Sequence, residues 1–216
     1  MNKNNFTYLL VALLVMLLGV PLAHDLSLAS GPLIKALMFS LLLIIGIWSL
    51  RGGGRYYTAG MTFVVAGVLL NILALNIDSS FLYYSSFVAL IGFLLVAIVF
   101  TLRQVIFGTE ITVNRLVGAV CVYLLLGTIW AVTYSLVDAV SPGSLAGISP
   151  QAGGGWNSEW LYFSFVTMTT LGYGDILPVS ATARALAYLQ AVFGQFYVAI
   201  LVAGLVSAYI SNRKQD

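Results

Sequence analysis

Thr167-Met168-Thr169-Thr170-Leu171-Gly172-Tyr173-Gly174-Asp175 is a polar, glycine-containing stretch set between two long apolar runs. Gly172 and Gly174 lack a Cβ, so the backbone there can take left-handed conformations that other residues avoid. With left- and right-handed residues alternating, successive carbonyls can point at one axis while Leu171 and Tyr173 turn their side chains outward. Most isolated Gly-aromatic-Gly triplets are surface turns. Here three threonines within residues 167–170, Asp175 directly after, and apolar segments on both sides argue for a built element.

Of the 216 residues, 61% are hydrophobic and 7% charged, and the mean hydropathy is +1.02. Soluble domains carry roughly a quarter charged residues, so this composition is that of an integral membrane protein. A net charge of +2 gives no support for a nucleic-acid partner; only the placement of charges is informative. Cys121 is the sole cysteine, which excludes an internal disulfide and a cysteine metal cluster. It reads as a small apolar filler in a membrane helix, and His24 as a loop residue near the membrane surface. Gly52-Gly53-Gly54 lacks the Gly-Lys-Ser/Thr ending of a phosphate loop. No base, nucleophile and orienting group share a site, so the sequence predicts neither an enzyme nor a bound cofactor.

Uncharged or nearly uncharged runs cover residues 6–23, 32–50, 57–77, 81–101, 116–136 and 185–210. Each is long enough to cross a bilayer, which takes about 20 residues in helical form. Six transmembrane helices are the expectation, with Lys35 reaching the interface from one end of its run. The alternative reading of the first run is a cleaved signal peptide with Pro21-Leu22-Ala23 near the cut; its removal would break a six-helix topology. Basic residues collect on the cytoplasmic side. With the N-terminus inside, Lys3, Arg51, Arg55, Arg103, Arg115, Arg213 and Lys214 are cytoplasmic, and only Lys35 and Arg184 are outside. That bias predicts a multi-pass cell-membrane protein with both termini cytoplasmic.

Residues 103–112 are too polar to span and mark a boundary: residues 1–107 form a four-helix membrane region, and residues 108–216 a helix, loop, helix unit. Residues 141–155, rich in Gly, Ser and Pro, read as a solvent-exposed turret. A short helix follows to Met168, with Asn157 or Ser158 as N-cap and Glu159 in its first turn. It covers only about half the hydrocarbon thickness, and such a re-entrant segment is tolerated when buried in protein or lining water. Trp160, Tyr162, Phe163 and Phe165 read both as interfacial packing and as a cuff of rings around what comes next.

Residues 162–175, YFSFVTMTTLGYGD, resemble the pore of potassium channels with one pore loop per subunit, here preceded by four further helices. The resemblance implies an all-α membrane protein whose Thr170, Leu171, Gly172, Tyr173 and Gly174 form the selectivity filter. In such filters backbone carbonyls replace the hydration shell of K+. The carbonyls of Thr170, Leu171, Gly172 and Tyr173 would form stacked sites, with the Thr170 hydroxyl below and K+ as permeant ion. Thr169, Asp175, Tyr162 and Val166 would support the filter, with a Tyr162 to Asp175 hydrogen bond. The negative end of the pore-helix dipole would favour a waiting cation. Asp25, Asp78, Asp138, Glu159 and Asp175 lie on the outer side, where they would raise the local cation concentration. One strand supplies one wall and the chain holds a single such motif, so a cyclic homo-oligomer is expected, by resemblance a homo-tetramer in membrane lipid.

The chain departs from the family in places. Tyr162 and Phe163 stand where many voltage-gated members carry two tryptophans, Val166 where some bacterial relatives have Glu, and Leu171 where Val or Ile is commoner. In the last run, Gly194 falls where the family often has a hinge glycine; close packing through a small residue is the equal alternative. Val198, Val202 and Val206 would face the cavity, with Ile210 near an inner constriction; facing lipid is the alternative. Residues 81–101 contain no Lys or Arg, and each gating charge is worth ~2.3 kcal/mol per 100 mV, so no arginine-type voltage sensor is expected. Six residues follow Ile210, so no cytosolic ligand-binding domain is expected in this chain. The function implied is passive, potassium-selective conduction. The alternatives are a non-selective cation channel and a regulatory subunit of a potassium transport system.

Overall fold

A helix in a bilayer has two kinds of neighbour, protein and lipid, and both are apolar. In the computed structural model, which describes residues 5–25, 43, 46–47, 53–77, 79–107, 113–148 and 158–213, α1 (Asn5–Asp25) illustrates the consequence. It buries Phe6, Leu9, Leu13 and Met16, spaced at three and four residues, and leaves Tyr8, Val11, Leu14, Val15 and Leu18 exposed. One stripe meets protein; the rest of the circumference is equally hydrophobic, as a lipid-facing helix requires.

The chain continues as α2 (Arg55–Ile77), α3 (Ser80–Ile106), α4 (Val113–Val140), β1 (Leu145–Ala146), α5 (Ser158–Met168), β2 (Leu177–Pro178) and α6 (Ala181–Arg213). Arg55–Ala74, Ser80–Ile106, Val113–Val140 and Ala181–Leu201 are long and apolar enough to cross a membrane, and Phe6–Gly19 is a shorter apolar stretch. Among the described residues this gives a helical membrane protein with four candidate spans. Residues 32–50, expected as a further span, lie outside the described residues except for Leu43, Gly46 and Ile47.

Around α4 the helices assemble: α1, α3, α5 and α6 all pack on it, and α2 packs on α3. Its Cys121, Val122, Leu125, Ala131, Val132 and Tyr134 are buried, against Phe93 and Leu94 of α3 and Trp160, Leu161 and Phe163 of α5. Thr128 and Thr133 turn their hydroxyls onto the carbonyls of Leu124 and Ile129, both at 2.8 Å, so their polarity is satisfied within the helix.

Among the described residues, each of the five long helices outruns the apolar stretch that announced it. α3 continues to Ile106 and takes in Arg103 and Gln104, so the helix runs on into the polar boundary segment that starts at residue 103. A helix's hydrogen-bond ladder does not stop where hydrocarbon stops, and its last carbonyls need donors. Arg115 of α4 supplies them, donating to the carbonyls of Val105 and Ile106. Arg103 lies over the Tyr56 ring at 5.9 Å from its centroid. At the opposite end, the Tyr84 hydroxyl donates to the Ala139 carbonyl at 3.1 Å. So α3 and α4 are antiparallel, and Arg103, Arg115 and the start of α2 share one end.

The loop after α4 carries a short pairing that its composition does not announce. Of residues 141–155, expected as an exposed turret, the described part is largely exposed, but Ser144 and Leu145 are buried, and β1 pairs antiparallel with β2, Leu145 opposite Pro178 and Ala146 opposite Leu177. The Ser144 carbonyl accepts from the amides of Val179 at 2.9 Å and Ser180 at 3.2 Å. Asp138 at the end of α4 fixes the turn, its carboxylate accepting from the amides of Gly143 and Ser144, both at 3.1 Å. Residues 149–157 lie outside the described residues.

Gly147 has φ +88° and a Cβ on it would run into the Asp175 carbonyl; Gly143, at φ +83°, faces open space. Alanine at either position meets a left-handed backbone cost of roughly 1–2 kcal/mol. Only Gly147→Ala must also push the β2 segment away. Thermal unfolding in detergent is expected to rank wild type above Gly143→Ala and Gly143→Ala above Gly147→Ala. Equal melting temperatures for the two variants would contradict the close approach.

Candidate functional site

α5 has 11 residues, and at ~1.5 Å each it reaches about halfway through a hydrocarbon layer of ~30 Å. It starts at Ser158 with Glu159 in the first turn; Asn157, the other expected cap, lies outside the described residues. Its C-terminal end is a Schellman turn. The Thr170 amide donates to the Thr167 carbonyl at 3.1 Å, the Leu171 amide reaches back to the Val166 carbonyl at 2.9 Å, and Thr170 has φ 59°. Glycine is the usual occupant of that left-handed position. A β-branched residue is strained there by roughly 1–2 kcal/mol.

The Gly172 amide also aims at the Val166 carbonyl, at a longer 3.4 Å. A trans peptide unit is planar, with its N–H and C=O pointing in opposite directions. Because the amides of Leu171 and Gly172 point back at α5, the carbonyls of Thr170 and Leu171 point away from it. Gly172 (φ 59°) and Gly174 (φ 82°) repeat the left-handed geometry at every second residue after Thr170. Residues 169–175 are all exposed on the single chain. Thr169 differs from Thr170 in that its hydroxyl donates back to the Phe165 carbonyl at 2.7 Å.

Beyond the glycines, Asp175 ties the stretch to its surroundings. The Tyr162 hydroxyl donates to the Asp175 carboxylate at 2.6 Å, the bond that the resemblance implies, and the Ile176 amide donates to its other oxygen at 3.1 Å. The rings of Tyr162 and Tyr173 lie stacked, with centroids 6.4 Å apart and 5° between planes. From the other side, Gly147 lets the outer loop close onto the Asp175 carbonyl.

At the C-terminal end of α5, α6 closes against it. A Cβ at Gly194 would collide with the Met168 carbonyl, so of the two readings of Gly194 close packing is the one this geometry displays. One turn earlier, Gln190 is fully buried and bonded on every side. Its Oε1 accepts from the Tyr134 hydroxyl at 2.7 Å, and its Nε2 donates to the Ser164 carbonyl at 2.9 Å and the Ser164 hydroxyl at 2.7 Å. Ser164 in turn donates to the Gly127 carbonyl at 2.7 Å. Tyr134, Ser164 and Gln190 were not singled out in the sequence. The available signal was an uncharged polar residue, Gln190, inside an apolar run, since a buried amide must find partners.

The structure thus brings Thr169, Thr170, Leu171, Gly172, Tyr173, Gly174, Asp175, Tyr162 and Val166 together, with Gly194 packed beneath. Val198 lies further along α6 and is exposed. The side chains of Val202, Val206 and Ile210 lie outside the described residues.

Asp175 titrates below its ordinary value, chiefly because the Tyr162 hydroxyl bonds its charged form; partial burial opposes this and backbone amides add to it. Tyr162 is pushed up to about 12 by the same bond, with burial and the nearby charge of Asp175 contributing less. A depressed carboxylate adds stability that is lost as pH falls through its folded value; a raised phenol adds stability that is lost as pH rises through its own. The melting-temperature difference between wild type and Tyr162→Phe is therefore expected to be full between pH 3.8 and 10.0. It should shrink below that window and again toward about 12. A difference that stays constant through both limits would contradict the bond.

Residues 118–211 match the family model described as "Ion channel". Among curated proteins, the chain is 32% identical over 102 residues to two pore potassium channel a of Oryza sativa subsp. japonica, covering 47% of this chain and 26% of that protein. It is 43% identical over 47 residues to two-pore potassium channel 5 of Arabidopsis thaliana, covering 22% of this chain and 12% of that one. Two-pore potassium channel 3 of the same plant is 43% identical over 49 residues, covering 23% and 11%. The chain therefore spans about a quarter or less of the length of these relatives. No solved structure matches. The matches support a potassium-channel family and indicate a channel, not an enzyme, built on a multi-pass helical membrane protein.

Proposed function

We propose that this chain is one subunit of a potassium-selective channel that conducts K+ passively across a cell membrane. The observation that carries the reading is the left-handed backbone at Thr170, Gly172 and Gly174, with the amides of Leu171 and Gly172 held by one carbonyl of α5. Carbonyls turned away from the protein in this way are available to replace the water around a bare cation without adding charge. Thr170, Leu171, Gly172 and Tyr173 supply these oxygens, and Gly174 completes the filter. The strain at Thr170 fits: glycine would relax the turn, but threonine adds a hydroxyl below the carbonyls that glycine lacks.

A single wall encloses nothing. The names of the relatives describe two-pore channels, whereas this sequence carries one copy of the Gly-Tyr-Gly motif, so several chains must surround the axis. Leu171, Tyr173, Val192, Phe193, Phe196 and Ile200 are large and exposed on the isolated chain, an apolar surface of the kind that neighbouring copies bury. The assembly we infer is a homo-tetramer. Residues 108–216 carry the pore, and residues 1–107 frame it with four of six spans. Gathering Arg103, Arg115 and the start of α2 at one end supports a cytoplasmic assignment for that end and for both termini. Arg103 is the basic residue in the last turn of α3 and lies over Tyr56, which favours an anchoring role over voltage sensing.

Reconstitution in liposomes with opposed K+ and Na+ gradients tests the reading. The expected reversal potential lies close to the potassium equilibrium value, and Gly172→Ala is expected to abolish conduction or its selectivity. Equal passage of Na+ would make the protein a non-selective cation channel, and absence of any current would favour a regulatory subunit. Either result would overturn the proposal, as would a fully selective Gly172→Ala.

A further inference from the structure

We propose that Gln190 is a positioning residue for ion selectivity: it sets the placement of α5, and through it the orientation of the filter carbonyls, without touching the ion. This rests on the channel reading above.

The argument starts from the amide's own valence. The Ser164 carbonyl can only accept, so the nitrogen of Gln190 must face it, and Oε1 must face the Tyr134 hydroxyl, which donates. With Nε2 also donating to the Ser164 hydroxyl, both amide hydrogens and the amide oxygen are used. The Ser164 hydroxyl passes the link on to the Gly127 carbonyl. Three helices, α4, α5 and α6, are therefore joined at one fully buried point.

Gln190 and Gly194 are one turn apart on α6, and their contacts Ser164 and Met168 are one turn apart on α5. The first contact is a set of directional bonds, and the second is a backbone approach with no room for a Cβ. Together they fix both the rotation of α5 about its axis and its position along α6. Val166 lies between Ser164 and Met168, and its carbonyl is the one that receives the amides of Leu171 and Gly172. Any turn of α5 thus moves the anchor that aims the filter. Apolar contacts alone would hold α5 nearly as firmly but would let it slide, because dispersion has little directional preference. Replacing every side-chain member of the set by an apolar group of similar shape leaves only the Ser164 and Gly127 carbonyls, both within helices, so most of the stability is expected to survive while the directional bonds are lost, which separates the two roles experimentally.

The test uses the full chain, assembled and reconstituted. The triple variant Tyr134→Phe, Ser164→Ala, Gln190→Met is compared with wild type for subunit number, melting temperature and K+ over Na+ permeability. Assembly is expected to persist while the permeability ratio falls about tenfold or more, a change equivalent to ~1.4 kcal/mol. Gln190→Glu is expected to stay within a few-fold of wild type at a pH low enough to protonate its carboxyl, which then accepts from Tyr134 and donates its one hydrogen to Ser164. An assembled triple variant with the wild-type ratio would overturn the proposal. If the triple variant does not assemble, Ser164→Ala and Tyr134→Phe decide: a partial fall in the ratio supports the role, and an unchanged ratio in both overturns it. A wild-type protein without preference for K+ would sink the channel reading itself, and this inference with it.

Discussion

The carbonyl oxygen of Val166 takes the amides of Leu171 and Gly172, at 2.9 and 3.4 Å, and on that shared acceptor the site depends. Without it the two peptide units after the short helix would be free to turn, and their carbonyls would have no common direction. With it, a helix ending becomes the first part of an oxygen-lined wall. The glycines extend the pattern, because each left-handed residue restores the direction that the preceding right-handed one would lose.

That wall is held from three sides. Above, Asp175 is gripped by the Tyr162 hydroxyl and the Ile176 amide, while the outer loop folds down through β1 and β2 so that Gly147 rests on its carbonyl. Behind, Tyr134 stacks edge-on against Phe163, with centroids 4.8 Å apart. Below, Gly194 meets the Met168 carbonyl, and Gln190 binds Ser164 to Tyr134. Each contact belongs to a different stretch of the chain. A segment with so little regular structure of its own is ordered by its surroundings, and its other side, residues 169–175, is exposed on the single chain.

Much of this was legible in the sequence. The start and end of α5, the role of Gly172 and Gly174 as left-handed residues, and the Tyr162 to Asp175 bond all follow from local chemistry or from a short motif. Thr170 at positive φ was not foreseen, since propensity argues against a β-branched residue there and only the completed turn demands it. The Gln190 network joins residues 56 positions apart, beyond the reach of any spacing rule. The burial of Ser144 and Leu145 in the otherwise exposed loop was hidden for a related reason: Gly, Ser and Pro signal irregular backbone, but not whether part of that backbone lies on something. Helix ends were short in the reading because hydropathy traces the hydrocarbon layer, while α3 and its capping by Arg115 continue past it.

Anomalous scattering from rubidium, which substitutes for potassium, is the most direct measurement on the assembled protein. A line of peaks on an axis of equivalent subunits, level with the carbonyls of Thr170, Leu171, Gly172 and Tyr173, is the result this account predicts. Subunits that share no such axis, or an axis with no bound ion beside those oxygens, would contradict it.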